Sequence, residues 1–231
     1  MIYVMSDIHG NLQRFDSIMR QINLQPEDTL YILGDVVDRY DHGIKILRKL
    51  MAMPNVKMLL GNHEYMMINA IGEWLKDPST EPPSWFQTRL WYKNGGYVTH
   101  NYLKRIKKEY RAEILRYLLE LPINIDVEVA GIKYKLVHAS PIENYDMSYS
   151  YRHNYANQNE FAIWERWDET QPVPEGYVMI FGHTPTVYFQ NRRPFSIWKS
   201  DSAIGIDCGS GFSDGRLCAL RLDDMQEFYS N

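Results

Sequence analysis

The chain is 231 residues long, 45% apolar and carries a formal net charge of −4, which suits one large domain over 1–231 with an ample core. The acidic balance argues against nucleic-acid binding, which needs a basic surplus, but leaves room for a small phosphorylated ligand held by a few local arginines. No apolar stretch approaches the ~20 residues that span a bilayer and no secretory leader pattern opens the sequence, so a cytoplasmic setting away from membranes is expected.

Met1–Met5 reads as a buried strand that runs into Asp7-Ile8-His9-Gly10. Leu12–Ile22 follows as a helix, with Leu12, Phe15, Ile18, Met19 and Ile22 at helical spacing, and Gln25-Pro26-Glu27-Asp28 breaks it. Leu30–Leu33 is a second strand, leading into Gly34-Asp35-Val36-Val37-Asp38-Arg39. Gly43–Met51 is a helix ended by Pro54, and Val56–Leu60 a third strand before Gly61-Asn62-His63-Glu64. A further helix starts at about Tyr65. This β-α-β-α-β order implies parallel strands joined by right-handed crossovers.

Asp77–Ser84 is a turn-rich loop and Asn94-Gly95-Gly96 a turn, after which the spacing predicts one long helix over Thr99–Glu120. Ile123–Val129 and Ile132–Val137 flank Ala130-Gly131 as a hairpin whose second arm delivers His138. Ile142–Asn159 is rich in Tyr, Asn and Ser without a period; a substrate loop and an ordinary surface loop are equal alternatives. Tyr177–Phe181 then leads into Gly182-His183-Thr184-Pro185, and Ser202–Ile206, Leu217–Leu222 and Gln226–Tyr229 read as strands. Cys208 and Cys218 are expected in a hairpin, free or joined by a disulfide, and have no metal-type spacing. The order predicts an α/β fold of two packed mixed sheets with helices outside.

Five apolar runs thus end beside residues able to bind a metal. If the strand ends converge, as they do at the sites of open α/β sheets, one patch holds four histidines, three aspartates and one asparagine. Asp, His and Asn with few thiolates suit Mn²⁺, Fe²⁺ or Zn²⁺. Asp7 and His9 alternate by two toward a common centre, and Asp35 follows a glycine, where a carboxylate can bridge two cations. Two metals clamp an in-line displacement at phosphorus and acidify water. A single ion would leave several buried carboxylates and imidazoles unpaired.

Asp7-x-His9-Gly10, Gly34-Asp35-x-x-Asp38-Arg39, Gly61-Asn62-His63-Glu64, His138 and Gly182-His183 resemble the calcineurin-like metallophosphoesterases. Within them the chain is most similar to the serine/threonine protein phosphatases of the small phage-lambda type and its bacterial relatives. Asn94-Gly95-Gly96, Ile163-Trp164-Glu165-Arg166 and Ile206-Asp207-x-Gly209 fit that branch in order and spacing. The resemblance implies a sandwich with the metals at the strand ends, Asp7 and His9 on the first ion, Asp35 bridging, and Asn62, His138 and His183 on the second. It implies His63 as general acid oriented by Asp38, and Arg39, Asn62 and Arg166 as phosphate contacts, with Arg152 a rival to Arg166. A hydroxide between the ions, with Mn²⁺ favoured over Fe or Zn, would attack phosphorus directly. Tyr40, where relatives have glycine, and Cys208, in place of a threonine, depart from the pattern.

Taken singly, each of these residues is more simply a satisfied polar group at a strand end; taken as a set of blocks that explanation fails. His42, His100 and His153 lie outside the blocks and are expected on the surface or at caps. Asp207 is expected to fix a turn behind the ligands, and Arg192-Arg193 to be a solvated pair. The leading expectation is a protein phosphatase acting on a phosphorylated protein, peptide or small phosphoester. A symmetrical dinucleoside tetraphosphatase or other nucleotide phosphatase is the alternative, on which Glu64 weighs slightly against. A catalytically silent metal- or phosphopeptide-binding module is more remote, because it has no need of a general acid.

Overall fold

Short apolar runs alternate with helical stripes at the start of the chain, and the elements follow those periods. The computed structural model describes residues 1–77, 79, 85–146 and 155–231. Strand β1 (Ile2–Met5), helix α1 (Leu12–Ile22), β2 (Thr29–Ile32), α2 (Gly43–Met51), β3 (Val56–Met58) and α3 (Asn62–Lys76) form two parallel crossovers and a third helix. Asn11 caps α1 by accepting the Arg14 N–H at 3.2 Å, and Asn23 ends it in the left-handed conformation. Helices α4 (Trp85–Lys93), α5 (Gly96–Leu103) and α6 (Lys108–Leu119) follow, then β4 (Asn124–Val129), β5 (Ile132–Val137), α7 (Gln158–Trp164), β6 (Val178–Phe181), β7 (Trp198–Lys199), β8 (Ala203–Gly205), β9 (Cys218–Arg221) and β10 (Gln226–Tyr229).

The strands form two mixed five-stranded sheets, in orders β10-β9-β1-β2-β3 and β4-β5-β6-β8-β7, with seven α-helices among the described residues. Each sheet has three parallel strands and antiparallel additions: β1, β2 and β3 in one, β5, β6 and β8 in the other. Period two along the strands separates the cores. Tyr3, Met5, Leu30 and Ile32 pack under Phe15, Ile18, Ile44 and Leu47 of the helices. Val4, Tyr31 and Leu33 pack between the sheets against Tyr134, Leu136, Ile180 and Ile204. A third cluster, with Met179, Phe181, Trp167 and Trp198, covers the outer face of the second sheet.

Several expectations are corrected. The helix expected over Thr99–Glu120 is two helices, broken where Lys104, Arg105, Lys107 and Lys108 crowd four cations into five positions. Ile106 still packs on the core from this break, so the apolar period runs on through it. Cys208 and Cys218 are free and buried, not in one hairpin: Cys218 lies on β9 of the first sheet and Cys208 in the loop after β8 of the second. His100 is buried, accepting or donating a 2.5 Å hydrogen bond with the Tyr92 hydroxyl and packing against Trp74 and Trp91. His42 is half-buried at the N-cap position of α2, where its side chain makes no capping hydrogen bond, while His153 and Arg152 fall outside the described residues.

Phe15 is fully buried where α1 meets the first sheet. Phe15→Ala is expected to cost about 3–5 kcal/mol in urea unfolding with an unchanged m-value. A loss below about 1 kcal/mol would mean that this interface is not close-packed.

Candidate active site

All six parallel strands point their C-terminal ends at one edge of the sandwich, and the segments leaving five of them carry the expected residues: Asp7 and His9 after β1, Asp35 and Asp38 after β2, Asn62 and His63 in the first turn of α3 after β3, His138 after β5, and His183 after β6. All eight are buried. Asp7, His9, Asp35, Asp38, Arg39 and His183 all have positive φ, between 51° and 70°. Such values are uncommon for residues with a Cβ and cluster where function requires them. Interlocked backbone hydrogen bonds hold them: the His9 N–H donates to the Asp35 carbonyl at 2.9 Å, and the Tyr40 N–H to the His9 carbonyl at 3.1 Å.

Asp35 lies at the centre. Its Oδ2 is 3.8 Å from both His9 Nε2 and His63 Nε2, while its Oδ1 is 3.5 Å from His138 Nε2. Two groups of donors therefore share it: His9, Asp35 and His63, and Asp35, His138 and His183, each with ligand atoms within 4.8 Å of one another. Asp7 Oδ1 adjoins the first group, 3.9 Å from His9 Nε2, and Asn62 Oδ1 adjoins the second, 3.0 Å from His138 Nε2. Burial alone would raise the Asp35 carboxyl, but the surrounding imidazoles outweigh it and hold Asp35 well below the usual range. Gly61 is required here, because a Cβ at this position would collide with Asp35 Oδ1. Gly182 likewise admits Asp7 and Ser6.

Every imidazole is anchored through one nitrogen, leaving the other for the centre. The Nδ1–H of His9 donates to the Val37 carbonyl at 3.2 Å, and that of His138 to the Leu33 carbonyl at 2.6 Å. The Nε2–H of His183 donates to the Trp164 carbonyl at 3.1 Å. These acceptors fix the tautomers, so unprotonated nitrogens converge with carboxylate oxygens. Lone pairs so arranged repel unless cations lie among them, and burial holds His9 and His183 well below the usual imidazole range, in the neutral form that binds metal. The donor set fits a pair of divalent ions.

His63 differs from the other three, because its Nδ1–H donates to a carboxylate, Asp38 Oδ2, at 2.8 Å. Burial opposes the imidazolium, yet Asp35 and the hydrogen-bonded Asp38 prevail and raise the His63 pKa. Trp91, not identified from the sequence, donates its indole N–H to the same Asp38 oxygen at 2.8 Å. Glu64 has a structural role that its place in the Gly-Asn-His-Glu block does not reveal. It is fully buried and accepts the backbone N–H groups of Asp35, Val36 and Val37 at 2.9, 2.9 and 3.2 Å. Burial, and then the charge of Asp35, push its carboxyl up to about 7 against the pull of these donors.

The two arginines flank the buried cluster and are exposed. Arg39 receives its place from the Asn94-Gly95-Gly96 turn, its N–H donating to the Gly95 carbonyl at 3.2 Å, and its guanidinium lies 5.1 Å from the Phe212 ring. Arg14, also missed, grips that loop through the carbonyls of Ser210, Phe212 and Ser213. Arg166 donates to the His183 carbonyl at 2.9 Å. Asp207 fixes a turn as expected, accepting the Gly209 N–H at 2.9 Å. Arg192 and Arg193 are exposed in a turn.

This arrangement of sheets, donors and arginines defines a metallophosphoesterase, and the profile of the calcineurin-like phosphoesterases matches residues 1–214: the chain belongs to that family. Over 96% of its length it is 29% identical to serine/threonine-protein phosphatase 2 of Salmonella typhimurium LT2, covering 92% of that protein. It is 37% identical to a symmetrical bis(5'-nucleosyl)-tetraphosphatase of Yersinia pestis, but over 29% of this chain and 24% of that one. Among solved structures, a candidate diadenosine tetraphosphatase shares the fold with a TM-score of 0.63 at 17% identity, over 99% of this chain and 91% of that one.

Glu64→Ala would leave three buried N–H groups without an acceptor, so a loss of at least about 3 kcal/mol is expected in urea unfolding. Weaker Mn²⁺ binding by calorimetric titration should accompany it. Wild-type stability and affinity in this variant would show that Glu64 does not hold the Asp35 turn.

Proposed function

We propose that the chain is a two-metal phosphomonoesterase that removes phosphate from phosphoserine or phosphothreonine in proteins and peptides. The observation that carries this reading is His63, whose Nδ1 is held by a buried carboxylate while its Nε2 faces the centre 3.8 Å from Asp35. A module that only binds has no use for an imidazole so poised. Similarity to the Salmonella protein phosphatase over nearly the whole chain favours the protein substrate. The match to the Yersinia tetraphosphatase spans under a third of the chain, so it supports shared phosphoester chemistry more than a shared substrate.

In this reading Asp7 and His9 would hold one ion and Asn62, His138 and His183 the other, with Asp35 shared between them. Mn²⁺ is the proposed metal, suited to oxygen and imidazole donors together. The ions supply Lewis acidity and lower the pKa of water. Arg39 and Arg166 fork the phosphate oxygens from either side, a geometry lysine cannot copy, and Asn62 adds a contact. His63 enters protonated and gives its Nε2 proton to the departing serine or threonine oxygen. Asp38 keeps the other ring proton on Nδ1 throughout and stabilises the charged ring. Trp91 fixes Asp38 for this task. We further propose that 1–231 acts as one catalytic domain in the cytoplasm, where its two buried cysteines stay reduced.

The test is Mn²⁺-dependent turnover of an aryl phosphomonoester, its diester, a phosphoserine peptide and diadenosine tetraphosphate. Fast cleavage of the dinucleotide alone would establish the nucleotide enzyme instead, and metal binding with no turnover would establish a silent module. His63→Ala is expected to keep two ions per chain by elemental analysis and to lose ~10²–10⁴-fold in kcat, most on alkyl leaving groups and least on p-nitrophenyl phosphate. Loss of an ion would make His63 a ligand, as its grouping with His9 and Asp35 alone allows. Trp91→Phe should show the same leaving-group dependence at about tenfold. Asp35→Ala should bind neither ion tightly, and two retained ions would refute the bridging role.

A further inference from the structure

The backbone alternates between the phosphate site and a neighbouring cleft at two places. Arg166 and His183 serve the site, and the residues that follow them, Trp167 and Thr184, line a cleft of about 570 Å³ completed by Arg166 itself, Asp168, Glu169, Thr170, Tyr188 and Phe189. A substrate with its phosphate between the arginines therefore has this cleft next to it. Trp167 and Thr184 are 3% and 5% exposed, and the Trp167 indole N–H and the Thr184 hydroxyl find no hydrogen-bond partner among the described residues. Each unsatisfied buried group costs roughly 1–3 kcal/mol. Both atoms are shielded from solvent, so an acceptor in the cleft recovers that cost only once the Trp167 or Thr184 side chain turns toward it. The indole only donates, so the matching group is an acceptor such as a peptide carbonyl.

The rim specifies the occupant further. Asp168 and Glu169 are exposed and form no ion pair with a described residue; Asp168 Oδ1 accepts the Thr170 N–H at 2.8 Å and hydroxyl at 2.5 Å, and the Tyr188 ring is 74% exposed. Carboxylates beside an open aromatic face suit a guanidinium, which pairs with the one and stacks on the other. A dinucleoside polyphosphate would instead bring further negative charge toward Asp168 and Glu169.

We infer that this cleft is a substrate subsite for a peptide segment flanking the phosphorylated residue, with a basic side chain, arginine above all, at its rim. The inference rests on the phosphopeptide reading of the active site and names the kind of phosphopeptide. Its test compares two phosphoserine peptides that differ only in flanking arginines or flanking glutamates, with p-nitrophenyl phosphate as reference and diadenosine tetraphosphate as competitor. The wild type should prefer the arginine peptide by about tenfold in kcat/KM. Asp168→Lys combined with Glu169→Lys should abolish or reverse that preference, and Tyr188→Ala should reduce it through KM. Equal turnover of both peptides, or a preference the variants leave intact, would overturn the cleft assignment while the phosphatase reading stood. Selective damage to diadenosine tetraphosphate hydrolysis would overturn it in favour of a nucleobase cleft. Cleavage of the aryl ester with no turnover of any phosphopeptide would remove the phosphopeptide reading and the subsite together.

Discussion

Asp35 meets demands from both sheets, and the rest of the molecule is arranged to let it. One carboxylate oxygen faces the donors His9 and His63 carried by the first sheet, and the other faces His138 carried by the second. Oδ1 also accepts the His63 N–H at 3.0 Å, so Asp35 completes the N-terminus of α3, where Gly61 has no side chain to cap it. A carboxylate serving a helix dipole and two donor groups has little freedom left. Its backbone, at φ 54°, is fixed by Glu64 from behind.

From that constraint follows the unusual backbone of the whole edge. Left-handed conformations at residues with a Cβ cost about 1–2 kcal/mol each, and six of them sit in the loops around Asp35. They persist because the loops bond to one another, as the Asp7, His9 and Gly10 N–H groups do to Gly34, Asp35 and Val36 carbonyls. The core between the sheets, where Val4 and Leu33 meet Leu136 and Ile180, sets the separation of the two histidine groups. Core packing and donor spacing are thus one property: a shift of one sheet on the other pulls His138 and His183 away from Asp35.

The legible part of this design was the part written in short-range pattern. Strand ends, the turns after them and the ligand-type residues are adjacent in sequence, so the blocks around Asp7, Asp35, Asn62, His138 and His183 could be read before their convergence was known. Residues that act from a distance could not. Glu64 reaches back 29 positions to Asp35, Trp91 reaches Asp38 across 53, and Arg14 grips Ser210 across 196. Helix α4 escaped notice because it buries only Trp91 and has no clear apolar face. The break between α5 and α6 was hidden because Ile106 keeps the helical period while the cations around it end the helix. His100 looked like a surface residue because its aromatic box, with Tyr92 and Trp74, is built from two other helices.

The same geometry separates what chemistry fixes from what specificity can vary. The buried donors, their carbonyl anchors and the Glu64 clamp are tied into the backbone of both sheets, so altering one disturbs the others. Arg39 and Arg166 reach solvent but are still bound through the Gly95 and His183 carbonyls, which keeps their spacing set by the fold. Beyond them, Tyr188 and Glu169 are exposed and make no hydrogen bond that the buried site depends on. Selection for a new substrate can therefore act on that rim at little cost in stability. A phosphate group is the same in every phosphomonoester, so discrimination has to come from what lies beside it. In the proposed reading that neighbour is the cleft lined by Arg166 and by Trp167 and Thr184, the residues next after Arg166 and His183, so a flanking side chain would be sensed there and not at the buried donors.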